Sequence, residues 1–276
     1  VTYNNITYTL KDEETKTVTR TINYVDSVTG KAIPSELEPS VTQTATLTRS
    51  VIYDSKGNKI GYGTVSADGK SYTLNDSYKV TGSWDEKKSA DLSSHGYTAP
   101  DKETVAAVNV DGSTKDTVVT VYYGHQTVPV TPEDPKNPGD PIIPGGNVTY
   151  PKGLTEKDLK DTVTRTIKYV DAKGNLVNGS PDGTSRYEQT AEFTRTAIVD
   201  KVTGKILGYD TDGDGEVDTT KADQAWTPTK KTLLEAQSKD PKLLGYDEVD
   251  TPVVPDLVVT PGQGDTTVTV TYSNNQ

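Results

Sequence analysis

The chain has 276 residues, room for two ordinary domains, with only 31% hydrophobic residues, a formal charge of −11 and a pI near 4.7. That acidity excludes nucleic acid and anionic membranes as partners, because phosphates would be repelled. The absence of cysteine excludes disulfides, zinc–thiolate sites and thiol catalysis; no apolar run approaches the roughly 18 residues that span a bilayer, so no membrane insertion is expected, and no signal-peptide pattern opens the sequence.

Threonine is the commonest residue and tyrosines number 16 against one phenylalanine, a composition suited to half-wet sheet surfaces, so the predicted class is mainly β. In the first predicted strand Val18, Arg20, Ile22 and Tyr24 alternate with Thr17, Thr19, Thr21 and Asn23, the period of two that marks a half-buried strand. A second strand runs through Leu47, Arg49 and Val51. A closing strand carries Val119, Val121 and Tyr123 on one face, and the opening and closing strands are predicted to share a sheet.

The same landmarks then return in the same order. Thr17 to Ile22 recurs as Thr162 to Ile167, Gln43-Thr44-Ala45 as Gln189-Thr190-Ala191, and Thr48-Arg49 as Thr194-Arg195. Gly61-Tyr62 recurs as Gly208-Tyr209, Trp84 as Trp226, Gly96-Tyr97 as Gly245-Tyr246, and the closing strand as Val268, Val270 and Tyr272, with offsets of 142 to 149 residues. The chain reads as two copies of one module, 1–125 and 149–276. Arg20, Arg49, Arg165 and Arg195 fall on otherwise apolar faces, which predicts stems laid on apolar neighbours and heads paired with local carboxylates.

On this register the interval from tryptophan to the Gly-Tyr landmark is 13 residues in one copy and 20 in the other. The middle of the module is therefore expected to be loop-rich and variable. Thr229 to Gln237 is expected to form a short helix that the first copy lacks, and Thr155 to Leu159 a capped turn. Both tryptophans are expected in the core, and exposed tyrosines and amides of the middle, with Lys230 and Lys231 as local donors, are the candidate recognition groups.

Between the copies, Pro129, Pro132, Pro135, Pro138, Pro141 and Pro144 fall at every third position, the period of a polyproline II helix. Residues 126–148 are accordingly predicted to be a semi-rigid spacer, its sixteen residues from Pro129 to Pro144 spanning roughly 50 Å.

One motif belongs to the second copy alone. Asp210, Asp212, Asp214, Glu216 and Asp218, with Gly213 and Gly215 between them, follow the spacing of an EF-hand calcium loop. Alternate carboxylates converge on a hard cation and glycine permits the turn that closes the cage. Position twelve, where a bidentate glutamate belongs, is Lys221, so the expected site is a non-EF-hand calcium loop of modest affinity, roughly 10⁻⁴ to 10⁻³ M. No motif for catalysis is found: His95 and His125 are far apart in sequence, and no metal-protease, nucleophile-elbow or phosphate-loop pattern occurs.

The ordered set Thr-Val-Thr-Arg-Thr-Ile-x-Tyr-Val-Asp, Gln-Thr-Ala-x-x-Thr-Arg, Gly-Tyr and Val-Thr-Val-x-Tyr, in duplicate and separated by the proline repeat, resembles the Mub repeats of lactobacillar surface adhesins. The resemblance runs from about Thr15 to Tyr272. It implies elongated, β-grasp-like tandem modules and an extracellular parent protein anchored to a Gram-positive cell wall. It also implies mucin oligosaccharides as ligand and no enzymatic activity. Weak binding per module, raised by avidity, is the leading functional reading, and the chain is expected to be a monomer. Capture of a host protein such as immunoglobulin on a strand edge is the second reading, and a stalk projecting a distal domain the third.

Overall fold

The computed structural model describes residues 5–276 and divides the chain into two units, Val1–His125 and Gln126–Gln276. Both are built on the alternation seen in the sequence. In the first unit the opening strand Tyr8–Asp26 lies between two partners: antiparallel to Val41–Asp54 and parallel to the closing strand Thr117–Tyr123. In the second, Lys160–Asp171 lies between Arg186–Thr194 and Thr266–Ser273 in the same senses. A central opening strand beside a parallel closing strand is the sheet arrangement of a β-grasp, here with a loop-rich crossover in place of a long helix.

The register places equivalent residues opposite each other in both units. Val18 faces Ala45 and Arg20 faces Gln43; Val163 faces Ala191 and Arg165 faces Gln189. Val18, Ile22 and Tyr24 are buried on one face, as are Val163, Ile167 and Tyr169, and the closing strands add Val121 and Tyr123, and Val270 and Tyr272. Each crossover contains a 3-10 turn, Ser93–His95 or Pro241–Leu244. Gly96 and Gly245 terminate these turns at φ of 89° and 83°, a left-handed conformation that favours glycine, which accounts for the repeated Gly-Tyr landmark.

The structure corrects the sequence register in the middle of the module. Trp84 packs on Val18, Ala45 and Leu47, and the residue that packs on their counterparts Val163, Ala191 and Phe193 from the same position is Leu233. Trp84 bridges to Val108, and Leu233 pairs with Leu257, each 149 residues on. The short pair Lys87–Lys88 with Thr104–Val105 recurs at the same offset as Ala236–Gln237 with Val253–Val254. From Trp84 onward the copies therefore align without a gap. Trp226 is matched instead by Tyr78: Arg49 stacks on Tyr62 and Tyr78, and Arg195 on Tyr209 and Trp226. The expected helix over Thr229 to Gln237 is absent, replaced by strands Lys231–Leu233 and Ala236–Gln237. Helical turns do occur where a cap supports them: Glu156–Leu159 follows Thr155, which exchanges hydrogen bonds with Asp158 and buries Leu159.

The proline-rich segment also differs from expectation. Residues 126–148 do not form a free spacer. Thr127–Val130 is a strand antiparallel to Thr196–Asp200, which pairs in turn with Ile206–Asp210. Pro129 is accommodated because this strand lies at the sheet edge, where a missing N–H breaks no ladder. Val130 and Tyr150 are buried with Leu154, Leu159, Ala197 and Val199, and Ile142 packs against them. The threefold proline period suggested a rod, but Val128, Val130 and Ile142 gave the segment apolar surface that a solvated rod would have left in water. In the first unit the equivalent edge pairing is made by the start of the opening strand itself, Tyr8 to Leu10 against Ile52 to Asp54.

Candidate functional site: an acidic turn and arginine-braced loops

The acidic turn closes the hairpin that begins at Ile206–Asp210. Tyr209 N donates to Thr219 O at 2.8 Å and Asp218 N to Tyr209 O at 2.8 Å, so the two ends of the loop are held together. Gly208 permits this closeness: a Cβ there would lie 2.6 Å from Thr219 O and 2.5 Å from Val217 Cγ1. Inside the turn Asp210, which is buried, accepts from Asp212 N and Gly213 N through Oδ1 and from Gly215 N through Oδ2. Asp218 Oδ2 accepts from Thr211 N at 2.7 Å.

One carboxylate oxygen from each of Asp210, Asp212, Asp214 and Asp218 lies within 4.8 Å of all the others. The fifth residue of the sequence motif, Glu216, is exposed and is not brought into this group; its backbone N–H instead caps Asp214 Oδ1 at 2.9 Å. The crowding appears in the acidities. Burial works to raise Asp210, but the N–H groups of Gly215, Asp212 and Gly213 outweigh it and hold the carboxyl down to about 2. For Asp212, the Asp214 N–H works to lower the pKa, but shared hydrogen bonds with the Asp214 and Asp210 carboxyls prevail and raise it to about 6. The donor set is all oxygen, which suits a hard cation such as calcium. In the first unit the matching hairpin turns through Ser66, Asp68 and Gly69, where a single carboxylate accepts from Ser66 Oγ at 2.7 Å.

The four arginines of the apolar faces brace loops, and two of them do so almost identically. Arg20 donates to Gln43 Oε1 at 2.7 Å, Ala106 O at 2.7 Å and Asp85 O at 3.0 Å; Gln43 Nε2 adds a bond to Asp85 O. Arg165 donates to Gln189 Oε1 at 2.9 Å, Pro255 O at 2.7 Å and Leu234 O at 3.1 Å, and Gln189 Nε2 adds a bond to Leu234 O. Both guanidinium groups are buried. Their partners are backbone carbonyls and a glutamine rather than the carboxylates expected from the sequence. Arg49 does meet a carboxylate, Glu14 at 2.8 Å, and also donates to Asp76 O; Arg195 donates to Asp158 O and Ala222 O.

The tryptophans part company. Trp84 is buried, whereas Trp226 is half-buried and lines a cleft. Lys230 and Lys231 are exposed, and His95 is exposed while His125 is buried against Asp26, Nε2 to Oδ2 at 2.6 Å. Among the described residues no helix is long and apolar enough to cross a membrane.

Two mixed β-sheet modules in tandem, each holding a loop-rich middle on arginine braces, define a tandem-repeat protein. The chain belongs to the Muc B2-like domain family, whose model matches residues 9–127 and again 154–276. Among solved structures it is similar to the mucin-binding domain of Spr1345 from Streptococcus pneumoniae, at 31% identity over 41% of this chain and 94% of that one, with a TM-score of 0.29. It is also similar to the type 2 repeat of the mucus binding protein MUB from Lactobacillus reuteri and to Mub-RV. Each of these is 18% identical over 94% of this chain and 100% of its own, with TM-scores of 0.35 and 0.46. No curated protein matches the sequence.

Proposed function

We propose that this chain is a non-enzymatic adhesin fragment of an extracellular, cell-wall-anchored protein, and that it binds host mucin oligosaccharides. Each module binds weakly, and repetition supplies avidity. The observation that carries this reading is the duplicate match to the Muc B2-like domain, once in each structural unit. The test is binding of the fragment, as a monomer, to purified mucin before and after enzymatic deglycosylation. Loss of binding with the glycans is expected; binding that survives would favour capture of a protein. That second reading has one observation on its side: the closing strand of the first unit begins at a sheet edge with Val118 67% exposed, an edge on which a host protein such as immunoglobulin could add a strand.

We further propose that Asp210, Asp212, Asp214 and Asp218 hold calcium and that the ion stiffens the hairpin rather than touching glycan. Four carboxylates so close repel one another unless a cation or protons neutralise them. Calcium is expected to raise the melting temperature of the second unit, and Asp214→Asn to abolish that rise; an equal response in the variant would refute the site.

A further inference from the structure

The two modules carry a cleft in the same place. In the second it has a volume of about 240 Å³ and is lined by Asp223, Gln224, Trp226, Thr229, Thr260 and Pro261. In the first it has a volume of about 350 Å³, with Asp76, Ser77, Tyr78, Asp111 and Gly112 in its lining. The correspondence is positional. Tyr78 and Trp226 are the aromatic rings stacked on Arg49 and Arg195, and Asp111-Gly112 precede Thr260-Pro261 by the 149 residues that separate the two copies in this region.

The lining has the chemistry of a sugar subsite. A pyranose offers an apolar C–H face and a rim of hydroxyls that both donate and accept. The second cleft offers an indole, a carboxylate, an amide and two hydroxyls, and the side chains of Asp223, Gln224, Thr229 and Thr260 are exposed and make no hydrogen bond among the described residues. Asp76 and Ser77 play the same part in the first cleft. The aromatic wall is held in place before any ligand arrives: the Arg195 guanidinium lies 4.2 Å from the indole centroid and is itself tied to Asp158 O and Ala222 O. These volumes fall at or below the low end of the roughly 300–1,000 Å³ of drug-sized ligand sites, which suits one sugar ring rather than an oligosaccharide. Asp223, the charged residue in the lining of the second cleft, sets a negative field there against carboxylated or sulfated sugars; in the first, Asp76 and Asp111 stand beside Arg49, which offsets part of their charge.

We propose that these clefts are the glycan subsites of the two modules, each taking one neutral pyranose. The inference rests on the mucin-binding reading and assigns it a place. The second cleft is the stronger of the two. Its indole offers a larger face than a phenol, and Tyr78 is already engaged by Arg49, by Lys16 5.3 Å from the ring centroid, and by its own hydrogen bond to Glu14.

The chain has two tryptophans, so in a Trp84→Phe variant the fluorescence reports on Trp226 alone. Titration with galactose and N-acetylgalactosamine is expected to give a saturable change with Kd on the order of millimolar, and N-acetylneuraminic acid a response at least about tenfold weaker. Ligand-observed NMR on the chain with both tryptophans intact repeats the measurement should the Trp84 variant fold poorly. The double variant Asp223→Ala, Gln224→Ala changes exposed side chains and is expected to weaken neutral-sugar binding at least about tenfold with the melting temperature unchanged. Unchanged sugar affinity in that variant, or N-acetylneuraminic acid binding as tightly as galactose, overturns the proposal. Mucin binding retained without any response to free neutral sugars overturns the cleft alone, whereas sugar titration of Trp226 in a chain that ignores mucin supports the cleft and overturns the mucin reading.

Discussion

Replacing Arg165 by methionine tests the bracing role directly, because the guanidinium is buried and its partners are known. The substitution keeps most of the stem and removes three donors. Leu234 O retains Gln189 Nε2 at 2.6 Å, so the acceptors left without a partner are Gln189 Oε1 and Pro255 O. An orphaned acceptor costs about 1–3 kcal/mol when buried. Both residues keep some solvent contact, which lets water recover part of that, and removing a buried charge relieves its desolvation. The net loss worked from these terms is about 2–4 kcal/mol. At roughly 3–5 °C per kcal/mol for a module of this size, scanning calorimetry should show the melting temperature of the second unit lowered by about 6–20 °C. Arg165→Lys should lose nearly as much, since an ammonium cannot reproduce three bonds in a planar fork. Arg186→Met, which breaks an exposed pair with Glu188, should stay within about 0.5 kcal/mol. A stability for Arg165→Met within about 0.5 kcal/mol of the parent, or full rescue by lysine, would refute the bracing argument.

Three further outcomes follow from the same contacts. Hydrogen bonds from Tyr62, Tyr78 and Arg49 hold Glu14 down to about 2 from an ordinary value of 4.5; its stabilising effect is therefore present above pH 4.5 and lost as pH falls toward 2, and Glu14→Gln should flatten that part of the acid-unfolding profile. Trp226→Tyr installs the residue that the first module uses at the same place and should cost no more than about 1 kcal/mol, whereas Trp84→Ala should cost about 3–5 kcal/mol in chemical denaturation; equal costs would contradict the corrected register. Val130→Asp would be neutral in a free spacer, but in the folded edge strand it places a carboxylate against Leu154 and Ala197 and should destabilise the second unit by at least about 3 kcal/mol.

The elements legible in the sequence were those whose pattern is enforced by a single neighbour. Val18, Ile22 and Tyr24 alternate because one face of their strand is buried, and the same reason makes Val119 and Val121 readable. The grouping of four of the five acidic residues was legible because a turn confines them in sequence as well as in space. The middle of the module was not, because its strands are two to four residues long and carry no period. A tryptophan there attracts an alignment to itself, and Trp84 was set against Trp226 although the packing position belongs to Leu233. The ungapped 149-residue spacing from Trp84 to Leu233, Tyr97 to Tyr246 and Val121 to Val270 was the available signal. The cleft residues Asp223, Gln224 and Thr260 could not be assembled from sequence, since Thr260 reaches Trp226 only through the fold. In the proline-rich segment the ring spacing outweighed Val128, Val130 and Ile142, whose burial depends on a partner strand about 70 residues away.

The choice of acceptors explains how one frame can carry two different middles. A brace that ended on a carboxylate would fix the residue type at the far end. Arg20 and Arg165 end instead on backbone carbonyls, which every residue supplies. The braced positions differ accordingly: Asp85 in one module is Leu234 in the other, and Ala106 is Pro255. Proline is acceptable there because only its C=O is used. What the frame does fix is the arginine and its glutamine partner, which orients the fork and adds a bond to the same loop in both copies. Side chains that face solvent from the braced loops are thus free to change without loosening the sheet. Arg49 and Arg195 use backbone acceptors in the same way beside the clefts, Asp76 O next to Ser77 and Tyr78 in one module and Ala222 O shortly before Gln224 and Trp226 in the other.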